Sequence, residues 1–186
     1  MFFRLRTNRG FTTLEMLMVV AVIGTLAAMA VPVMKDMTAA MKLNEATRLV
    51  ERELQSARLK AVASNRVIRV RLNCPTPGLI RSVEVLGTAA LDTPTGRCLY
   101  NGMPRYPFPA ADDDIMTRPN FDGPVRSLPL GATVSNLVLQ FAPDGTASNV
   151  VAGAATAIVT PIPVTVTREY KSKTVTVNNA GKIRIE

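Results

Sequence analysis

The hydrophobic pattern divides this chain into stretches of different period. Residues 16–34 contain no Asp, Glu, Lys or Arg, and a helix of that length spans the hydrocarbon core of a bilayer. Residues 35–64 then run without Gly or Pro and are dominated by Ala, Leu, Met, Glu, Lys and Arg, residues suited to a helix interior. Met37, Met41, Leu49, Leu54, Ala57 and Ala61 recur at helical spacing, which predicts a stripe lying on a sheet. Arg48, Glu51, Arg52 and Lys60 fill other faces, while Glu45 with Arg48 and Glu51 with Gln55 supply local pairs. One helix from Phe11 to about Ser64 would measure on the order of 80 Å at about 1.5 Å per residue. Its first half is apolar all round and its second half amphipathic. Pro32, lacking an N–H, predicts a bend near Ala28, and Gly24 offers flexibility or a close-approach surface between helices.

Beyond Asn65 the period shortens. Val67, Arg69 and Arg71 alternate with Ile68, Val70 and Leu72, predicting a strand with one buried face. Residues 81–86 are a second candidate. Between Cys74 and Pro129 lie nine of the 13 prolines, which repeatedly interrupt regular structure. Residues 137–141 then lead into Pro143-Asp144-Gly145, where proline presets φ and glycine tolerates positive φ. Residues 164–167 and 174–177 alternate Val with Thr around a predicted turn at 170–173. Asn178-Asn179-Ala180-Gly181 makes another turn before Lys182-Ile183-Arg184-Ile185. This reads as an antiparallel meander. The fold class is α+β: a long N-terminal helix, membrane-spanning in its first half, packed on a C-terminal antiparallel β domain. The expected segments are residues 1–10, 11–34, 35–65 and 66–186.

Charge and candidate chemistry add less. The formal net charge is +8, spread along the chain, and such a balance specifies no partner by itself. The chain has no His and no Trp, so a His-based triad or an imidazole metal site is excluded. No nucleophile motif or metal-ligand spacing stands out, and neither catalysis nor a cofactor is expected. Asp112-Asp113-Asp114 offers oxygens to a hard cation, yet three consecutive acids lack loop-type ligand spacing; a solvated loop is the expectation and no metal is assigned. Cys74 and Cys98, the two cysteines, have one possible pairing. A disulfide between them would close a loop worth roughly 3 kcal/mol; two free thiols are the alternative.

The densest signal lies at the start. Arg9-Gly10-Phe11-Thr12-Thr13-Leu14-Glu15 precedes the apolar run, and Glu15 is a lone carboxylate at its amino end. An unpaired carboxylate costs about 2.5–3.5 kcal/mol near the bilayer centre on insertion scales, less near the edge. Such a group calls for a partner. A secretory signal peptide has a similar layout, with Ala28-Met29-Ala30 as its cleavage site, but Glu15 would then open its apolar region. An ordinary single-span anchor leaves Gly10-Phe11 with Glu15 unexplained. On any of these readings Arg4, Arg6 and Arg9 keep the start cytoplasmic and place the bulk of the chain outside.

Gly10, Phe11, Glu15 and the uninterrupted apolar run, with Pro32 beyond, resemble the amino terminus of type IV prepilins and type II secretion pseudopilins. The resemblance implies cleavage by prepilin peptidase between Gly10 and Phe11, N-methylation of Phe11, and an assembly role for Glu15 against a neighbour's Phe11 amine. Removing three leader arginines from the formal +8 leaves +5. The long helix, the Phe141-x-Pro143-x-Gly145 turn and the terminal Gly181-Lys182-Ile183 segment resemble the secretion pseudopilin H and FimT/FimU group. That implies a minor subunit of a pseudopilus or pilus, anchored once in the bacterial inner membrane with its β domain periplasmic. Its partners would be other pilins or pseudopilins of the filament tip and shaft, and the bilayer before assembly. Some FimT-type pilins are implicated in catching DNA, which makes Lys171, Lys173, Lys182 and Arg184 candidate phosphate contacts. The alternative for these cations is a solubilising strand edge.

Overall fold

The computed structural model describes residues 10–74, 76–87, 92 and 122–186. The leader arginines, Cys98 and Asp112-Asp113-Asp114 therefore lie outside the described residues. Contacts divide the chain into two compact units, Met1–Ala39 and Ala40–Glu186.

Among the described residues there is one helix, α1, which runs Thr13–Ser64 and continues through Pro32. It starts where Thr12 caps it and stops where Asn65 adopts φ 51°, a left-handed position that Asn tolerates. The Arg66 N–H then donates to the Ala61 carbonyl at 3.2 Å, closing the helix end with a bond that bypasses the last turn. In the first unit the helix is apolar and exposed. An 18-residue window there has mean hydropathy 2.4 and none of it is buried, so this is one helix long and apolar enough to cross a membrane.

In the second unit α1 buries Leu43, Ala46, Val50, Leu54, Ala57 and Ala61. These are spaced three or four apart, the helical repeat. Thr47 is buried among them and donates its hydroxyl to the Leu43 carbonyl at 2.8 Å, so it adds no unsatisfied group. The buried stripe differs from the expected one. Leu54, Ala57 and Ala61 belong to it and Leu49 is partly buried, but Met37 and Met41 are exposed. At about 100° per residue, Met41 and Leu54 point roughly 140° apart. The turns after Met41 place Glu45 and Arg48 on its face, whereas Leu43 leads into Ala46 and Val50.

Among the described residues ten strands follow: β1 Ile68–Leu72, β2 Leu79–Glu84, β3 Arg126–Ser127, β4 Ala132–Val134, β5 Val138–Phe141, β6 Ala147–Val151, β7 Ala154–Ala157, β8 Ile162–Arg168, β9 Lys171–Val177 and β10 Ile183–Ile185. They form a six-stranded sheet, ordered β3-β2-β1-β5-β6-β7, and a four-stranded sheet, ordered β10-β9-β8-β4. The pairings are antiparallel throughout. Ile68, Val70, Leu139 and Phe141 of the first sheet and Val164, Val166, Val175 and Val177 of the second join the helix stripe in one core. The Ala147 N–H donates to the Asn179 carbonyl at 2.8 Å, stitching the sheets together.

Two further expectations need correction. The segment at 170–173 is not all turn: Glu169 and Tyr170 suffice to reverse the chain, and Lys171 already pairs with Arg168. Nor does β1 have one buried face, since Arg69 and Arg71 are as enclosed as Ile68 and Val70. As a central strand, β1 has neighbours on both edges, and each of its guanidinium groups reaches an acceptor from another part of the chain. Arg69 donates to Gln140 Oε1 at 2.8 and 3.2 Å, and Arg71 donates to the Asp92 carbonyl. On β2, Arg81 faces the Asp122 carboxylate at 3.7 Å. The acceptors these cations face offset part of the cost of burying their charge.

Candidate functional site

The helix start is assembled from Gly10 to Met16. The Thr12 Oγ1 accepts the Glu15 N–H at 3.2 Å, and the Thr12 carbonyl accepts the Met16 N–H at 3.2 Å. Thr12 is thus the N-cap and Glu15 the third helical residue. This relation was carried by the Thr-x-x-Glu spacing, an N-terminal capping signature, which the sequence reading passed over. The geometry relieves one of the orphan N–H groups of the first turn. It also sets the Glu15 carboxylate at the positive end of the helix dipole. Among the described residues, Glu15 has no ion-pair partner.

Around and beyond it the surface is greasy. Phe11 is 72% exposed, and Leu14, Leu17, Val20, Ile23 and Leu26 are exposed to a similar degree. Gly24 has open space about it. The hydroxyl of Thr25 is folded back onto the Val22 carbonyl at 2.8 Å, leaving no outward donor on this stretch from that side chain. A helix that is apolar on every side needs either lipid or other helices around it.

The candidate cations of the β domain do not converge. In β9, Lys171 and Lys173 share the face of Val175 and Val177. Arg184 of β10 pairs with Thr176 and so lies on the opposite face. Along the strand, Lys173 and Lys171 sit about 10 and 17 Å from the level of Arg184. Lys182 is elsewhere again, lining a hollow of about 300 Å³ with Gln55, Arg58, Leu59, Gly181 and Ile183. Lys171 lies 5.2 Å from the centre of the Tyr170 ring, a cation–π contact.

Arg58 organises that hollow, and the sequence reading did not single it out. Its Nε donates to the Gly145 carbonyl at 3.0 Å and its Nη2 to the Ala180 carbonyl at 3.2 Å. The two turns that were legible separately, at Gly145 and Gly181, are therefore held by one helical side chain. Nothing in the sequence links them at that range.

Cys74 is buried and disulfide-bonded; the other cysteine, Cys98, lies outside the described residues. Among the described residues no group of three or more His, Cys, Asp or Glu side chains is placed to hold a metal.

No family model matches this chain, and no curated protein does. Among solved structures, it is similar to the type IV minor pilin FimU of Pseudomonas aeruginosa strain PAO1, in two crystal forms. The P21 form has 16% identity and TM-score 0.46, covering 79% of this chain and 90% of that one. The P65 form has 16% identity and TM-score 0.45, covering 77% and 92%. The minor pseudopilin EpsH from the type 2 secretion system of Vibrio cholerae has 14% identity and TM-score 0.45, covering 78% and 96%. A likeness this distant carries no function across, so a functional reading must rest on the residues themselves.

Proposed function

We propose that the chain is a minor subunit of a filament of the pilus or secretion-pseudopilus type, stored in the bacterial inner membrane and working by assembly rather than catalysis. The observation that carries this is the helix start: one carboxylate, Glu15, in the first turn of an exposed apolar helix, four residues after the Phe11 that directly follows Gly10. Prepilin peptidase cleavage after Gly10 would free the Phe11 amine, a cation of the kind Glu15 lacks among the described residues. When apolar helices pack, that ammonium of one subunit would meet the Glu15 carboxylate of the next. In a low-dielectric core the attraction sets axial register, although desolvation consumes much of the gain.

On this reading the β domain faces the periplasm and makes the lateral contacts, and Cys74 pairs with Cys98 in that oxidising compartment. Residues 11–34 supply the membrane and filament-core segment. Secretin and secretion ATPase genes beside this one would assign the filament to secretion, and pilus tip genes would assign it to a pilus. Capture of DNA is not adopted, because phosphate tracking needs cations along one surface and Lys171, Lys173, Lys182 and Arg184 are divided between faces.

The test is the mass of the chain extracted from membranes. Loss of residues 1–10 with one added methyl group is expected, and a bulky substitution at Gly10 should block both. A product beginning at Val31, after signal-peptide cleavage, would end the assembly reading. Glu15→Gln should be processed normally yet fail to enter sheared filaments.

A further inference from the structure

We infer that β7 is a pairing edge for a second copy of this chain, joined antiparallel about Thr156. The inference stands apart from the filament reading and rests on the four outer strands of the two sheets. Three of these edges are blunted by ordinary means. β3 is two residues long, and its Arg126 is paired with Glu53 at 3.3 Å. β10 is three residues long, carries Arg184 and lies between Lys182 and Glu186. β4 is also three residues long, and the Asn73 side chain donates to its Val134 carbonyl at 3.0 Å.

β7 has none of these devices. Its sequence is Ala-Ala-Thr-Ala, all four residues are exposed, and residues 145–167 contain no Asp, Glu, Lys or Arg. The hairpin before it is tight: Ala152 at φ 50° and Gly153 at φ 86° form the two-residue turn, and Val151 pairs with Ala154. In a ladder closed this way the closing pair exchanges both hydrogen bonds and the next pair exchanges none. Ala155 and Ala157 therefore turn their N–H and C=O groups away from β6. Among the described residues, these outward groups have no backbone partner beyond the sheet.

The spacing of these groups fits a second copy of the same strand. Two copies of β7 related by a two-fold axis through Thr156 place Ala155 of each opposite Ala157 of the other. Both are then hydrogen-bonded pairs, giving four bonds with Thr156 facing Thr156 between them. Alanine methyls leave the approach unobstructed, and no like charges meet across the axis. Each six-stranded sheet would continue into the other.

Thr156→Cys in the full-length chain, purified in detergent, puts a thiol on the axis, and Cys74 is already disulfide-bonded. Mild oxidation should yield a linked dimer roughly tenfold faster than for Thr160→Cys, an exposed site off the axis. Adding Ala157→Pro deletes an outward N–H without removing a bond to β6, and should return the rate to the control level. Ala155→Lys, which places two cations beside the axis, should do the same and carries the test if the proline variant fails to fold. A Thr156→Cys rate equal to that of Thr160→Cys, or one unchanged by Ala155→Lys in a folded protein, would overturn the inference.

Discussion

Gly181→Ala tests whether the two turns and α1 form one mechanical unit. Gly181 has φ 69°, where an L residue with a Cβ loses about 1–2 kcal/mol. The added Cβ would also collide with the Gly145 carbonyl and with the Arg58 side chain. Arg58 can yield only by leaving its bonds of 3.0 and 3.2 Å to the Gly145 and Ala180 carbonyls. Bonds from a charged donor are worth about 1.5–3 kcal/mol each when enclosed; Arg58 is half-buried, so roughly half that is appropriate. The expected cost is about 3–4 kcal/mol, and Arg58→Met alone should cost about 2 kcal/mol. Because the first change already displaces Arg58, the double variant should fall short of additivity by about 1–2 kcal/mol. Urea denaturation of the full-length chain in detergent, followed by circular dichroism, measures all three. Full additivity, or a Gly181→Ala cost under about 0.5 kcal/mol, would refute the shared node.

Three further outcomes are expected. Leu54→Ala, fully buried, should cost about 2–5 kcal/mol, while Met41→Ala, 66% exposed, should stay within about 0.5 kcal/mol in the same denaturation; equal costs would mean that the buried face has been misassigned. The Asp144 carboxyl lies below its ordinary range because the Thr146 hydroxyl and then the Thr146 N–H donate to it, at 2.7 and 2.9 Å. Its folded-state pKa is depressed, so its stabilisation is present above the unfolded value near pH ~4 and lost as pH falls through the folded one. Asp144→Asn should therefore melt below wild type at neutral pH, with the gap closing in acid; a gap independent of pH would count against it. Thr12→Val should speed amide exchange at Glu15 while Thr12→Ser should not, the cap being worth about 1 kcal/mol.

What could be read from the sequence follows the strength of local signals. The end of α1 was legible because Asn65 sits where the helical composition stops, β8 and β9 because Val and Thr alternate there, β10 because Ile alternates with Arg, and β5 because a mostly apolar run leads into the Pro143-Asp144-Gly145 turn. The β6–β7 hairpin was invisible: Ala154-Ala155-Thr156-Ala157 has neither alternation nor β-branched weight, and an Ala-Gly turn is a weak signal beside Asn-Gly. The helix stripe was half wrong because exposed Met37 and Met41 are as apolar as buried Leu43 and Val50. Composition alone does not separate a face that meets a sheet from one left open. The Arg58 node and the buried Arg69 and Arg71 depend on partners far along the chain, which no local pattern encodes.

The capping geometry changes how the assembly proposal works. A bare carboxylate in lipid would be a liability awaiting rescue. Here the helix lends Glu15 partial stabilisation from the outset: the Thr12 hydroxyl holds its N–H, and the aligned amides of the first turn favour an anion. Such a field is worth about 0.3–1 kcal/mol at exposed sites and more where water is scarce, which would cover part of the cost of the proposed membrane storage but not all of it. The remainder is what the ammonium of a neighbouring Phe11 would supply. Cleavage after Gly10 leaves Thr12 in place, so processing would create the cation without loosening the acid. Thr12→Val, by weakening the cap, should then slow incorporation while leaving the processed mass unchanged. If incorporation proved indifferent to it, the helix terminus would have no part in presenting Glu15.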